Sequence, residues 1–305
     1  MIVLVPMGGQ GSRFRKVGYT LSKPAIPVID RHSGHKLPMV IAAMEDILRI
    51  GGPGTRFICI DQAEHASSGL EAEIKRHFVD TLFIHDHARL GQAFACLLAR
   101  EHLQSDEELI VACCDAGIDA DLSEFRLRRM EADALMLSHS GDQNIEANPL
   151  AHSWAELVPG TRKISRISIK QPVSADPMAD HATTGIFWFR RASAFLDCLV
   201  RTLSDDRGLK SDCLVDHVLQ RYVEQGADVS FLDVRYYCWG TPQDYESYHL
   251  TYRYWEEYLD ANEWLRTGTL NHHSVPERGA ERRGAGEADP HREDAATGKL
   301  RSHLR

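Results

Sequence analysis

Short apolar runs alternate with amphipathic stretches over the first 115 residues of this 305-residue chain. Four runs rich in β-branched and aromatic residues have the length and composition of buried strands: residues 2–6, 56–61, 82–85 and 109–114. Helical periodicity lies between them, at residues 38–50, 64–77 and 91–103. This alternation is typical of a parallel sheet with helices on both faces. We predict a Rossmann-like α/β fold (GT-A-like), a three-layer sandwich with a mixed, mainly parallel central sheet.

The second half of the chain is less regular. Strand-like runs occupy residues 134–138, 164–169, 184–189 and 229–234, and helical patterns occupy residues 193–203 and 211–225. A final helix over residues 243–265 carries an aromatic stripe at spacings of three and four: Tyr245, Tyr248, Tyr252, Trp255 and Leu259. Such a stripe faces the protein core or a second subunit, so a homodimer is one possible assembly.

Charge divides the chain unevenly. The whole chain has 35 basic and 44 acidic residues, a net charge of −9, which argues against bulk attraction to nucleic acid or an anionic membrane. Residues 271–305 hold seven Lys/Arg, six Asp/Glu and no aromatic residue. Such a segment buries too little apolar surface to fold. We predict one catalytic domain over residues 1–270 and a disordered charged tail over 271–305.

Cysteine usage and the N-terminus bear on the cellular compartment. The seven cysteines include no CxxC pair and lie mostly in apolar runs, which favours free thiols in a reducing cytosol. Residues 1–6 lack the charged start and long apolar core of a signal peptide and fit a strand. No uncharged run approaches the length of a membrane span. We predict a cytoplasmic protein.

The first loop is the most informative segment. Glycines at positions 8, 9 and 11 let the backbone approach a ligand and turn N–H groups toward phosphate oxygens. Arg13 and Lys23 add fixed positive charge. The segment lacks both GxxxxGK[ST] and the third glycine of a dinucleotide fingerprint. By itself it indicates either a phosphate site or a glycine-rich turn with incidental charges.

Together with later motifs, this loop resembles the sugar-phosphate nucleotidylyltransferase family. The GGxGxRL and PKP signatures are matched at Gly8, Gly9, Gly11, Arg13, Lys23 and Pro24, with Phe14 in place of Leu and Ser22 in place of Pro. Further matches, in order, are Gly91-Gln92-Ala93, Asp115, Lys170-Gln171-Pro172, Thr183-Thr184-Gly185 and Trp239-Gly240-Thr241-Pro242. The set is most similar to the nucleotidyltransferases of bacterial capsule and surface-polysaccharide pathways.

The resemblance implies that an acceptor phosphate attacks the α-phosphorus of an NTP and releases pyrophosphate. The NTP would be CTP as first choice or UTP, and the acceptor a phosphorylated sugar or another small phosphate or phosphonate. It implies catalytic roles for Arg13 and Lys23 and acceptor binding by Lys170, Thr184 and Gly185. The implied nucleotide-binding residues are Met7, Gly8, Gly9, Gly11, Ser12, Gln62, Gly91 and Gln92. Asp115 would bind Mg²⁺, a hard cation that suits carboxylate and phosphate oxygens.

The sequence departs from the family pattern at two positions, and both affect the roles that the resemblance implies. Ile169 replaces a glutamate beside Lys170, which leaves a non-sugar acceptor open. Cys238 occupies the place where many relatives have a second magnesium aspartate, and a neutral thiol is a poor Mg²⁺ ligand. The second ligand is therefore open among Asp119, Asp233 and Asp244, each of which could equally be a solvated or capping carboxylate.

Other motifs carry competing interpretations. Asp119 and Asp121 form a DxD, which would suit a glycosyltransferase that uses nucleotide sugars, or Asp121 could cap the helix near Ser123. His85 and His87 alternate as metal ligands can, but without an obvious third ligand. Cys238 also leaves open a nucleotide-binding module without catalytic activity.

Overall fold

The computed structural model describes residues 1–205 and 213–262. Residues 1–257 form one unit. A second unit begins at Tyr258, and its described residues, 258–262, are the end of the last helix and one following residue. The predicted tail, residues 271–305, lies outside the described residues.

Strands and helices alternate from the start of the chain. The strands are β1 (Ile2–Pro6), β2 (Pro27–Ile29), β3 (Lys36–Pro38), β4 (Arg56–Asp61), β5 (Leu82–His85), β6 (Leu109–Val111), β7 (Ala116–Asp119), β8 (Ala134–His139), β9 (Trp154–Leu157), β10 (Ile164–Ser168), β11 (His181–Phe189), β12 (Val229–Asp233) and β13 (Arg235–Cys238). The helices are α1 (Ser12–Lys16), α2 (Met39–Gly51), α3 (Ala63–Ser67), α4 (Leu70–His77), α5 (Gln92–Leu98), α6 (Leu122–Glu131), α7 (Gln143–Ala147), α8 (Ala192–Ser204), α9 (Val215–Glu224) and α10 (Pro242–Ala261).

Nine of these strands form one sheet. Its main path runs β10-β9-β11-β6-β1-β4-β5, and β8 joins β11 to β12. The ladders among β6, β1, β4 and β5 are parallel, and the ladders of β11 and of β10 are antiparallel. Seven strands therefore run in one direction, and β10 and β11 run in the other. The predicted mixed, mainly parallel sheet is confirmed.

Both faces of the sheet are buried. In β1, Ile2 and Leu4 pack into one apolar cluster with residues of α5, α8 and α9, whereas Val3 and Val5 pack into another with residues of α2 and α4. The alternation follows from the two-residue period of a strand. Because helices cover each face, β1 is apolar along its length and the fold is a three-layer sandwich.

Some predicted boundaries change. Gly69, at φ 82°, divides the predicted helix 64–77 into α3 and α4, because only glycine adopts this backbone conformation readily. The strand predicted over 109–114 ends at Val111, and Cys113 and Cys114 lie in the segment that follows it. Two antiparallel pairs, β2 with β3 and β7 with β13, form small separate sheets that the pattern did not indicate.

The aromatic stripe of the last helix begins as a core contact. The Tyr245 hydroxyl donates to the Pro27 carbonyl at 2.7 Å, and the Tyr248 hydroxyl donates to the Ile29 carbonyl at 2.8 Å. Both rings pack against the cluster that contains Phe14 and Trp239. The start of α10 therefore closes over β2, as the core-facing interpretation predicts.

Two further observations concern the described residues. All seven cysteines are free thiols. Across residues 1–205 and 213–262, no helix combines the length and apolar character that crossing a membrane requires.

Candidate active site

A cleft with two adjoining chambers opens beyond the carboxyl ends of β1 and β6. The inner chamber, about 350 Å³, is lined by Met7, Gly8, Gly9, Gln10, Asp86, Arg89, Gly91, Gln92 and Cys114, among others. The outer chamber, about 550 Å³, is lined by Arg13, Asn144, His152, Lys170, Thr184, Gly185, Asp216, Cys238, Gly240 and Asp244, among others. Lys23, Gln92, Cys113 and Asp115 line both. Carboxyl ends of parallel strands are where α/β folds bind ligands.

The first loop forms one wall of the inner chamber. Met7 continues the sheet, because its N–H donates to the Ile60 carbonyl at 2.8 Å. At Gly11, with φ 59°, the chain turns into α1, and a Cβ there would lie 3.1 Å from the Cβ of Lys23. Gly11 and Ser12 do not line either chamber but set this turn. The glycines at positions 8 and 9 line the inner chamber.

Gln62 supports the loop from behind. Its side-chain amide donates a hydrogen bond to the Gly8 carbonyl. Gln62 is 2% exposed and lies at the start of α3. Gln62 is absent from the lining of both chambers. The predicted nucleotide-binding residue thus contacts the first loop and not the space that the loop borders.

Lys23 and Asp115 form an ion pair where the two chambers join. Lys23 Nζ lies 2.5 Å from Asp115 Oδ2, and both side chains are partly buried. Burial is the largest single effect and lowers the pKa of Lys23, but the charge and hydrogen bond of Asp115, with smaller contributions from Cys114 and Cys238, together outweigh it and raise that pKa. The ammonium therefore stays protonated. One fixed cation and one carboxylate thus face the same space.

Lys170 and Arg89 have an unusual backbone conformation. They are the two non-glycine residues with positive φ in the described ranges, at 55° and 52°. Lys170 lines the outer chamber and Arg89 the inner one. A left-handed backbone at a non-glycine residue costs about 1–3 kcal/mol and is concentrated at functional sites. The strained backbone therefore occurs at two cationic residues, one lining each chamber.

Thr184 and Gly185 line the outer chamber together with Lys170 and Arg13. The Thr184 hydroxyl donates to the Leu137 carbonyl at 2.9 Å, so its role in the chamber is to shape the wall. Gly185 has φ 78°, and a Cβ at that position would lie 3.8 Å from the Cβ of Cys113. Residues from three separate parts of the chain therefore border one chamber.

The three candidate second carboxylates have different surroundings. Asp119 accepts from Arg31 Nη2 at 2.6 Å and from the Tyr237 hydroxyl at 2.8 Å, and it lies outside both chambers. Asp233 accepts from Ser138 Oγ at 2.7 Å and pairs with His181, also outside both chambers. Hydrogen bonds from these partners lower the pKa of both carboxyls, even though partial burial raises it.

Asp244 is the candidate that the structure places in the outer chamber. Its Oδ2 accepts from Thr241 Oγ1 at 2.6 Å and lies 3.5 Å from Cys238 Sγ. Burial raises the pKa of the Cys238 thiol to about 12, so the thiol is neutral at pH 7. A Cβ at Gly240 would lie 3.5 Å from Asp115 Oδ2 and 3.4 Å from Cys238 Sγ. Asp115, Gly240, Cys238 and Asp244 thus form a continuous wall.

The DxD residues have structural roles. Asp121 caps α6 by accepting from the backbone N–H groups of Ser123 and Glu124, which confirms the capping interpretation. Asp119 is paired with Arg31. Neither carboxylate lines the cleft, so the arrangement that a glycosyltransferase would need from this motif is not formed by these side chains.

Several chamber residues were not predicted. Asp86 lies between the two histidines considered as ligands, and its Oδ1 accepts from the backbone N–H groups of Ala88 and Arg89. His152 and Asp216 line the outer chamber. Burial lowers the pKa of His152 and raises the pKa of Asp216, so it favours the neutral form of each side chain. In the sequence, the feature that could have identified Asp86 as a chamber residue is its position shortly before the Gly91-Gln92 motif.

Comparisons with known proteins identify the family of the chain. The nucleotidyl transferase family profile matches residues 2–271. A glucose-1-phosphate thymidylyltransferase of Streptomyces antibioticus is 24% identical over 241 residues. That match covers 78% of this chain but 61% of the relative, so the chain spans about three fifths of the length of this curated relative.

Solved structures share the fold. A nucleoside-diphosphate-sugar pyrophosphorylase from Vibrio cholerae RC9 superposes with a TM-score of 0.64 at 18% identity, covering 81% of this chain and 99% of that one. The inositol-1-phosphate CTP transferase from T. maritima gives a TM-score of 0.59 at 19% identity, covering 82% and 94%. With the family profile matched along most of its length, the chain belongs to the nucleotidyl transferase family.

Proposed function

We propose that the protein transfers a nucleoside monophosphate from an NTP to a small phosphorylated acceptor and releases pyrophosphate. The observation that carries this proposal is the Lys23–Asp115 pair at the junction of the two chambers. It puts a fixed positive charge and a candidate metal ligand where a phosphate bound in one chamber meets a phosphate bound in the other. The cations Arg13 and Lys170 stand in the outer chamber beside this pair.

In the proposed reaction an acceptor phosphate oxygen attacks the α-phosphorus, a new P–O bond forms, and the bond to the β-phosphate oxygen breaks. Positioning and charge neutralisation supply most of the catalysis in such a transfer. Lys23 stabilises charge near the α-phosphate, Arg13 binds the leaving phosphates, and Lys170 holds the attacking phosphate. The loop glycines bring backbone N–H groups close to the nucleotide.

The donor set suits Mg²⁺. Asp115 presents a carboxylate to both chambers, and Asp244 presents a second one along the same wall, whereas the neutral Cys238 thiol does not suit a hard cation. We propose Asp115 and Asp244 as its protein ligands. When bound, Mg²⁺ would neutralise phosphate charge and order the triphosphate.

Asp86 supports CTP as the nucleotide. A carboxylate repels the triphosphate, so the phosphates belong near Lys23 and the base belongs near Asp86 in the inner chamber. Asp86 Oδ2 lies beside Gly8, 3.6 Å from a Cβ built there, and is an acceptor. An aspartate oxygen pairs with the N4 amino group of cytosine, whereas uracil presents the acceptor O4 at that position.

The remaining parts of the proposal concern context. The acceptor is a sugar phosphate, or a small non-sugar phosphate or phosphonate, used for capsule or other surface-glycan synthesis in the cytoplasm. The catalytic domain comprises residues 1–270, and α10 contributes to a homodimer interface. Leu250 of α10, for example, is 60% exposed on the single chain.

The decisive experiment is a substrate matrix. Full-length protein is incubated with each of four NTPs and a panel of phosphorylated acceptors, with Mg²⁺ or with EDTA, and pyrophosphate is measured. We expect Mg²⁺-dependent release with CTP, and mass spectrometry should find a CMP–acceptor diphosphate. Tight nucleotide binding with no pyrophosphate from any pair would instead support the non-catalytic module that Cys238 suggests.

A further inference from the structure

Three potential metal ligands converge behind the inner chamber, outside the proposed catalytic site. Asp61 and His85 end the parallel neighbours β4 and β5 and are paired in register, so their side chains lie side by side. Glu71 reaches them from α4. His85 Nδ1 is 2.8 Å from Asp61 Oδ1 and 3.8 Å from Glu71 Oε1. One donor atom from each residue lies within 4.8 Å of the other two.

Two oxygens in this cluster lack a protein donor. Asp61 is fully buried, and neither its Oδ2 nor the buried Glu71 Oε1 accepts a hydrogen bond from an amide, hydroxyl or ring N–H group among the residues described. The two carboxyl groups contact each other, and burial together with this neighbour raises the pKa of Asp61. The nearest ring nitrogen to Asp61 Oδ2 outside the cluster is His65 Nδ1, at 3.8 Å, which is beyond hydrogen-bond range. Unpartnered buried carboxylate oxygens are costly, and a bound cation removes that cost.

We propose that Asp61, Glu71 and His85 bind a structural divalent cation of the zinc class. One imidazole nitrogen and two carboxylate oxygens form a mixed donor set that suits Zn²⁺ better than Mg²⁺, which prefers oxygen ligands and retained water. Ligands about 2.1 Å from a tetrahedral ion lie about 3.4 Å from one another. The observed 3.8 Å separation fits, and His85 must move about half an ångström from Asp61 as the ion replaces their hydrogen bond.

The exposure of His85 provides an entry path. Its side chain is 38% exposed and that of Glu71 is 18% exposed, while Asp61 closes the inner end of the cluster. The ion would connect β4, β5 and α4. Gln62, which supports the first loop, and Asp86, which lines the inner chamber, each follow one of these ligands directly in sequence. Metal binding would therefore brace two walls of the inner chamber without contacting the reacting phosphates.

The test compares His85→Gln with His87→Gln. Position 87 is an exposed histidine two residues away, so the two variants have the same composition and the same histidines in residues 271–305. EDTA-treated full-length proteins are titrated with ZnCl₂ against a chromophoric chelator, and their thermal unfolding is followed without nucleotide. We expect wild type and His87→Gln to bind one more Zn²⁺ equivalent than His85→Gln. At zinc about a hundredfold above Kd, their Tm should rise by about 5 °C or more, which His85→Gln should not show.

A second variant and a second probe keep the test independent of folding defects. Asp61→Asn keeps the size of the side chain and should weaken zinc binding at least about tenfold, because a charged ligand is lost. Co²⁺ should give visible absorption bands in wild type and His87→Gln that are absent in His85→Gln. Equal zinc stoichiometry and equal Tm shifts in all four proteins would overturn the proposal, as would no zinc response in wild type. Loss of pyrophosphate release would not bear on it.

Discussion

Replacing Asp86 by asparagine should reverse the base preference of the proposed reaction. Oδ1 of Asp86 accepts two backbone N–H groups, those of Ala88 at 2.9 Å and Arg89 at 2.8 Å. The amide oxygen of an asparagine must take that place, because an amide NH₂ cannot accept. The NH₂ group then takes the place of Oδ2, beside Gly8. The group that faces the base therefore changes from a hydrogen-bond acceptor to a hydrogen-bond donor.

The size of the change follows from hydrogen-bond energies. A bond from the cytosine amino group to a charged oxygen contributes about 1.5–3 kcal/mol, and a new neutral bond from the amide to uracil O4 contributes about 1 kcal/mol. The variant should therefore change the CTP:UTP ratio of kcat/KM by about 3 kcal/mol, or about a hundredfold, toward UTP.

The assay is a competition between CTP and UTP at concentrations below KM, with the two products quantified by mass spectrometry. His87→Gln serves as the matched control, because His87 is an exposed neighbour that does not line the inner chamber. Its ratio should equal that of wild type. A change in ratio below about threefold for Asp86→Asn, or a shift toward CTP, would refute the assignment of Asp86 to the base.

Three further predictions concern the cations, the metal and the buried charges. Arg13→Ala should lower kcat/KM by about 10²–10³ with Tm unchanged, because a charge-assisted contact to the phosphates is lost; unchanged turnover would contradict its role. Asp244→Asn should raise the Mg²⁺ concentration for half-maximal rate at least about tenfold, and Asp233→Asn should leave it unchanged, so equal shifts would count against Asp244 as a ligand. Arg31→Met leaves Asp46, whose side chain is 1% exposed, without its main cation and should lower the free energy of unfolding by about 3–5 kcal/mol in urea titrations at pH 7. Burial already raises the pKa of Asp46, and the loss of Arg31 raises it further. The loss of unfolding free energy should therefore be smaller at pH 5 than at pH 7, because the carboxyl protonates over this range. A larger loss at pH 5 would contradict this argument.

The sequence predicted the parallel part of the fold well, because each strand there has a strong local signal. The bounds predicted for β1, β4 and β5 are those observed, since each is an apolar run flanked by turn residues or helical periods. The β7–β13 pair gave no such signal. Its four-residue strands come from distant parts of the chain, and their pairing depends on tertiary contacts.

The candidate site was predictable as far as residue types and motif order determine it. Arg13, Lys23, Asp115 and Lys170 do border one cleft. The choice among Asp119, Asp233 and Asp244 depended on which carboxylate lines the outer chamber. The partners of the other two, Arg31 and His181, are remote in sequence. Asp86 was overlooked because its role depends on which side of β5 borders the cleft.

The positions of the lining residues in the sequence determine the order in which the two chambers are completed during synthesis, and the β7–β13 pair belongs to the later one. The inner chamber is lined by residues up to Asp115, whereas the outer chamber also draws on Tyr236, Cys238 and Asp244. A ribosome-bound chain therefore contains all the lining residues of the inner chamber long before β13 emerges to pair with β7. A nascent chain that ends before β13 contains the complete lining of the inner chamber but lacks the Cys238 and Asp244 wall of the outer chamber.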